Sequence, residues 1–296
     1  MRIGVLTSGG DAPGMNAVLL GVALAGQQIV GIEGGFAGLV EGRTRALDAC
    51  TLRDSLHLSG TVLGTSRWAP MRTPAGVAEA VAAVKRLELD RLIVVGGAGS
   101  LAAAAALAAA GIGVIGIPAT IDGDTPYATA TIGMDSAVNH GVRAIDDLRA
   151  TARSLPGRAF LVETLGGDTG HLARAVAEAA CCPIVLTPEE PWDPADIAAR
   201  MRVELAEGYT IAIVGEGVGF AADIARTLQG LFGDRIRPTT LGHGMRGAPP
   251  SAADRRLGLL AGQTAVQIAH SDTSSRALVL SHGWPPAARP VPLPNP

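Results

Sequence analysis

Short apolar runs alternate with helical patterns along almost the whole of this chain, and at two junctions the apolar run empties into glycines before the helix begins. Residues 3–6 read as a strand that leads through Ser8-Gly9-Gly10-Asp11-Ala12-Pro13-Gly14 into a helix over 15–25. A strand over 91–95 leads in the same way through Gly96-Gly97-Ala98-Gly99-Ser100 into a helix over 100–110, and a strand over 113–117 follows. Strands separated by helices pair in parallel, and helices cover both faces of such a sheet. The pattern predicts an α/β fold of mostly parallel sheets in three-layer sandwiches. Ligands of such sheets bind beyond the carboxyl ends of the strands, where these glycine loops lie.

Further helices are predicted over 74–87 and 135–154, the second ended by Pro156-Gly157. A second alternating set then begins: strands over 159–163, 184–186 and 210–214, helices over 171–180, 194–207 and 220–232. A helix over 254–268 and a strand over 277–280 close the pattern. The expected organisation is two-lobed, with residues 1–136 and 247–285 in one lobe and 137–246 in the other. Residues 286–296, rich in proline, are expected as an extended or disordered tail.

The chain has 296 residues, 48% of them hydrophobic, enough for a sizeable core. Net charge is −3 and Lys85 is the only lysine, so there is no basic run to suit nucleic acid or an anionic membrane. The lysine shortage also excludes a Gly-Lys-Ser/Thr phosphate loop, which leaves backbone N–H groups, arginines and a metal ion to hold phosphates. Cys50 and the adjacent Cys181-Cys182 give neither a disulfide framework nor metal-ligand spacing. The apolar stretch over 101–117 is broken by Gly111 and Gly113 and reads as helix then strand. With no leader-like segment before residue 3, a cytoplasmic protein is expected.

The run Pro118-Ala119-Thr120-Ile121-Asp122-Gly123-Asp124 delivers two carboxylates onto one short loop at a strand exit. An ordinary Asp-Gly turn would look the same in isolation. Together with two glycine loops at the same sheet edge, the pair suits a base that deprotonates a hydroxyl and a partner that holds a metal ion. A glycine loop entering a helix offers N–H groups and a positive dipole to an anion.

The order of TSGGDAPGMN (7–16), LGTSR (63–67), GGAGS (96–100), PATIDGD (118–124), IGMDSAVN (132–139), LVETLGG (161–167) and LGHGMRG (241–247) resembles 6-phosphofructokinase over roughly residues 1–282. The resemblance implies ATP-driven phosphorylation of the 1-hydroxyl of fructose 6-phosphate or a related sugar 6-phosphate. It implies Asp122 as the base, Asp124 as the Mg²⁺ carboxylate and Thr120 as a contact to the transferring phosphoryl group. Gly9, Arg67, Trp68, Gly97, Gly99 and Ser100 fall at the phosphoryl donor. Arg158, Glu216, Arg237, His243 and Arg246 fall at the sugar phosphate, with Arg158 and Arg237 contributed by a neighbouring subunit of a homodimer or homotetramer.

Several positions depart from that pattern. Ala98 stands where the family carries a metal-binding aspartate, Gly167 where it carries a substrate-contacting arginine, and Gly123 where it carries an asparagine. Asp168 adds a negative charge beside Gly167. Pyrophosphate-using relatives carry an aspartate and a lysine at the positions of Gly99 and Ala119, so ATP is the expected donor. Residues 17–25 lack the arginines, and residues 207–209 the lysines, of the family's allosteric site, so control there is not expected. A catalytically impaired paralogue that binds sugar phosphate is the alternative. The remaining histidines, His171 among them, read as surface or cap residues.

Overall fold

A computed structural model describes residues 1–26, 28–126, 129–233 and 235–293. The chain divides into unit 1, Met1–Thr120 with Asp124–Asp135 and Pro249–Pro296, and unit 2, Ile121–Gly123 with Ser136–Ala248.

Elements of the first stretch are β1 (Ile3–Ser8), α1 (Met15–Ala25), β2 (Ile29–Ile32), α2 (Gly35–Glu41), β3 (Thr44–Ala46) and α3 (Ala49–Asp54). They are followed by α4 (Pro74–Arg86), β4 (Arg91–Gly96), α5 (Ala98–Ala109), β5 (Val114–Thr120) and β6 (Ile132–Gly133). Next come α6 (Met134–Ser154), β7 (Arg158–Thr164), α7 (His171–Ala179), β8 (Ile184–Leu186), α8 (Pro194–Ala206), β9 (Tyr209–Gly215), α9 (Ala221–Phe232) and β10 (Ile236–Thr240). The chain closes with α10 (Ala252–Ser271), β11 (Arg276–Ser281) and β12 (Ala287–Pro292).

Unit 1 is built on one sheet in the order β12-β11-β5-β4-β1-β2-β3, with β6 joined to β5. Its pairings are parallel except at the two edges, β2 with β3 and β11 with β12. Strands β1, β4 and β5 are buried along their full length, so both faces must be covered. Leu6, Ile32, Leu92, Val94 and Val114 pack with Phe36 and Leu39 of α2, Ala80 and Val84 of α4 and Leu107 of α5. Helices α1 and α10 pack against each other through glycine: a Cβ on Gly258 would lie 3.0 Å from both Ala17 Cβ and Gly14 O. That contact fixes the chain as it leaves the first glycine loop.

Unit 2 has a four-stranded parallel sheet, β10-β7-β9-β8. Alternate residues of β7, Ala159 and Leu161, face a cluster with Ile197 and Met201 of α8 and Ile224 and Leu228 of α9. Helix α7 packs on β7, β8 and β9, and none of its residues belongs to that cluster.

The expected α/β class with mostly parallel sheets holds. Three local expectations differ. Strand β5 runs through Pro118 to Thr120, three residues past the expected end, and so reaches the aspartate loop directly. Strand β10 was not expected, because Ile-Arg-Pro-Thr-Thr has little apolar alternation; as an edge strand it can hold a proline. The proline-rich tail is extended, one of the two conformations expected, but it does not stand apart from the lobe. Residues 287–292 are a paired edge strand of the large sheet, neither disordered nor separate from unit 1. Pro290 and Pro292 are two apart, so both missing donors fall on the same side and the intervening residues keep their pairing. Residues 294–296 of that tail lie outside the described residues.

Candidate active site

In unit 1 the predicted donor residues gather at the carboxyl ends of β1, β4 and β5. Gly9 adopts φ 87° and its N–H donates to Ser66 O at 3.2 Å, while Thr65 Oγ1 donates back to Gly9 O at 3.0 Å. Gly9 therefore shapes the loop and offers its amide to the protein. This pair draws the 65–66 backbone alongside the first glycine loop, and exposed Arg67 follows directly. Trp68 is half-buried and packs against the core.

The second glycine loop caps α5. No side chain caps that helix, and Ser100 N and Leu101 N each donate to Gly97 O at 3.0 Å. Ser100 is buried against Gly9 and Gly96: a Cβ on Gly9 would come within 3.2 Å of Ser100 Oγ. A Cβ on Gly97 would lie 3.3 Å from Thr120 Cβ, whereas one on Gly99 would meet nothing within 4 Å. Gly97 thus keeps the loop against Thr120, and Gly99 opens onto space. Thr131 Oγ1 donates to Thr120 O at 2.8 Å, which ties the end of β5 to the start of β6.

In unit 2 the residues predicted for the sugar phosphate are charged side chains, and they lie at two ends of the small sheet. Beyond the carboxyl ends, Leu241 N donates to Glu163 O at 3.0 Å and carries the chain into the short 3₁₀ turn Gly242–Met245. That turn presents exposed His243 and half-buried Arg246 above buried Met245, whose Sδ accepts from Leu165 N at 3.4 Å. Buried Glu163 accepts from Ala221 N at 2.7 Å and holds the start of α9. Glu216 Oε2 accepts from Gly167 N at 2.9 Å.

Arg158 opens β7 at the other end, and Arg237 lies near the start of β10. The register sets Ile236 opposite Ala159, so Arg235 is level with Arg158. Desolvation, and then the neighbouring guanidinium groups of Arg158 and Arg235, push the Arg237 pKa down. At about 3.3 Å per residue, Arg158 is about 20 Å along β7 from Thr164. One chain therefore does not bring Arg158 together with His243 and Arg246, and Arg237 stands three residues, about 10 Å, short of the end of β10.

Asp122 belongs to unit 2, whereas Thr120 and Asp124 belong to unit 1. A Cβ on Gly167 would lie 3.9 Å from Asp122 Oδ2, and Gly167 has φ 59°. The arginine missing from the sequence pattern would thus have entered beside the carboxylate, from a backbone conformation that disfavours any side chain. Thr169 and His171 bond the backbone of this carboxylate's loop, Thr169 Oγ1 to Asp122 O and His171 Nδ1 to Gly123 O. The sequence reading had His171 as a surface or cap residue. It does open α7, but no spacing rule signals its bond to a loop 48 residues away.

Residues 2–269 match the family model for phosphofructokinase. The chain belongs to the phosphofructokinase family. Relatives named ATP-dependent 6-phosphofructokinase include one from Natranaerobius thermophilus, 39% identical with 94% of this chain and 88% of that protein covered. Another, from Lacticaseibacillus casei, is 38% identical, with 90% and 85% covered. Among solved structures, the phosphofructokinase of Pichia pastoris in the T-state superposes with a TM-score of 0.90 at 28% identity over 99% of this chain. The chain spans 35% of that longer protein. A pyrophosphate-dependent phosphofructokinase from Marinobacter aquaeolei shares the fold, with a TM-score of 0.85 at 18% identity over 98% of this chain and 82% of that one. Family membership accords with the two glycine loops and the end of β5 lying at one edge of the unit 1 sheet.

Proposed function

We propose that this phosphofructokinase-family protein is a sugar-phosphate kinase that transfers the terminal phosphoryl group of ATP to the 1-hydroxyl of fructose 6-phosphate or a related sugar 6-phosphate. The observation that carries the reading is the retained Asp122 on the loop leaving β5, in a chain 36–39% identical to ATP-dependent enzymes.

Phosphoryl transfer needs positioning and charge neutralisation more than covalent chemistry by the protein. Asp122 accepts the proton of the attacking hydroxyl. Thr120 hydrogen-bonds the transferring group, Arg67 neutralises charge on the donor phosphates, and the first turn of α5, with Gly97 and Ser100, lines them. The open space at Gly99 favours a nucleotide over a side-chain-lined pyrophosphate site. His243, Arg246 and Glu216 hold the sugar phosphate. Arg158 and Arg237 complete its 6-phosphate from a second copy, with charge-assisted bonds of about 1.5–3 kcal/mol each. The place of Arg158 at the far end of β7 from His243 and Arg246 supports a homo-oligomer with shared sites, a dimer or tetramer.

Among the described residues no three His, Cys, Asp or Glu side chains form a metal cluster. Mg²⁺ keeps several waters and binds through one or two carboxylates plus substrate phosphates, so a single carboxylate suits an ion that arrives with ATP. Asp124 would hold it, and the ion would neutralise charge on the transferring phosphates. No described helix is long and apolar enough to cross a membrane, and we assign the enzyme to the cytoplasm.

The test is product formation by the purified protein with Mg²⁺, fructose 6-phosphate and either ATP or pyrophosphate, with Asp122→Asn as control. Bisphosphate made with ATP and absent from the control is the expected result; bisphosphate made only with pyrophosphate would overturn the donor assignment. Ala98 and the bare Gly167 favour a second reading, a sugar-phosphate-binding regulator. Saturable binding without product from any sugar 6-phosphate would establish it.

A further inference from the structure

The loop that carries the base is tethered by two side chains to which the family pattern assigns no role. Thr169 Oγ1 is 3.3 Å from Asp122 O and 3.2 Å from Gly166 O, and His171 Nδ1 is 3.0 Å from Gly123 O. A carbonyl oxygen only accepts, so the His171 ring carries a proton on Nδ1. The single hydroxyl proton of Thr169 is divided between two carbonyls. His171 is therefore the undivided tether.

Asp122 O and Gly123 O are consecutive carbonyls, and together they fix the two peptide planes that follow Asp122. Gly123, between the two aspartates, has φ 66°. Glycine reaches that conformation without strain but has the widest choice of alternatives, so a glycine here leaves the loop geometry to whatever holds its carbonyls. The tethers themselves are anchored. Gly170 N donates to Glu189 Oε1 at 2.7 Å, and Arg174 binds Thr187 Oγ1 at 2.7 Å and Glu190 at 3.0 Å. The Gly170 amide lowers the Glu189 pKa, as expected for a carboxylate that accepts its bond in the charged form. His171 begins α7, whose Leu172, Ala173 and Val176 are fully buried.

We propose that His171, assisted by Thr169, is a positioning residue for the general base: it acts on Asp122 through the backbone of the 122–124 loop. The inference rests on Asp122 as the base. Misplacing a reacting group by about 1 Å can cost about 10²-fold in rate, so loss of the tether is read in turnover while substrate affinity is kept.

The test compares His171→Ala, His171→Asn and His171→Gln in the full chain, with steady-state kinetics and hydrogen–deuterium exchange of the 119–126 segment. Asparagine sets an N–H donor near the position of Nδ1, and glutamine sets one near Nε2. His171→Ala should lower kcat about 10–100-fold with both KM values within about twofold, and should speed exchange of the loop. His171→Asn should restore both readouts and His171→Gln neither; Thr169→Ser should outperform Thr169→Val. The proposal is overturned if His171→Ala keeps wild-type turnover and exchange, or if glutamine restores as well as asparagine. It is also overturned if only the sugar-phosphate KM rises, which would make His171 a substrate contact. A wild-type protein without turnover, but with loop exchange that depends on His171, would sink the kinase reading and leave the tether standing. Without turnover and without that dependence, both fail.

Discussion

The candidate residues on the two sheets are of different material. At the edge of the unit 1 sheet the predicted donor contacts are backbone and small side chains: Gly9 in a left-handed turn, Gly97 against Thr120, Ser100 buried beneath the first loop. Unit 2 offers long charged side chains on a short 3₁₀ turn and on strand ends. A backbone cradle fails by steric intrusion and depends little on charge. A side-chain clamp tolerates changes of shape but fails when a charge is lost, and its members must be brought together by the fold or by a second chain.

Asp122→Asn gives the largest effect. Turnover should fall by about 10²–10⁴-fold, the range for a general base, while fructose 6-phosphate binding measured by calorimetry persists. A loss under tenfold would break the assignment of the chemistry to this loop. Gly97→Val forces a branched side chain against Thr120, so the ATP KM should rise by an order of magnitude or more, on the scale of one lost phosphate contact, with the sugar KM little changed. Equal damage to both would erase the contrast between a backbone-built and a charge-built half.

Arg237→Ser and His243→Ala should each raise the sugar-phosphate KM about 10–100-fold, in line with one charge-assisted bond. If the proposed shared site holds, mixing the two variants after dissociation and reassembly should recover part of the activity, because a hybrid site would draw its Arg237 and His243 from different chains. No recovery would mean that the clamp is not shared.

Smaller effects concern stability. Glu163→Gln weakens the acceptor for Ala221 N in the buried start of α9 and should cost about 1–3 kcal/mol in denaturant unfolding. In unit 1, Ser274 N and Arg276 Nε donate to the Asp272 carboxylate and lower its pKa from 3.8 to about 2. A depressed carboxylate stabilises the fold above its unfolded pKa and loses that contribution as pH falls through its folded one. The difference in melting temperature between wild type and Asp272→Asn should therefore hold near neutral pH and close as pH falls from about 4 towards about 2. A gap that stays constant across that window would show that charge plays no part there.

Much of the frame was readable in the residues. Apolar runs ending in glycine marked β1 and β4, and the helix over 15–25 matches α1 to the residue. The Pro118–Asp124 run marked Asp122 as the candidate base from its spacing and its place at a strand exit. Other elements were hidden for definite reasons. Strand β10 has two polar threonines and a proline, and its pairing with β7 supplies what its own pattern lacks. The edge strand over 287–292 looked like a tail because its prolines suppress the strand signal, yet their two-residue spacing is compatible with pairing. Nor does any local pattern signal that the Gly9 amide bonds Ser66 O, 57 residues away.

Local order along the chain determined the α/β class, the glycine loops, the aspartate pair and the family, because each depends on residues that are neighbours in sequence. Tertiary structure alone decided that Gly167 stands beside Asp122, that Thr169 and His171 bond the Asp122 loop, and that Arg158 and Arg237 lie towards the opposite end of the strands from His243 and Arg246. The physical reason is distance in the chain: a hydrogen bond or a cluster of charges between residues tens of positions apart leaves no periodicity in sequence and appears only when packing brings them together.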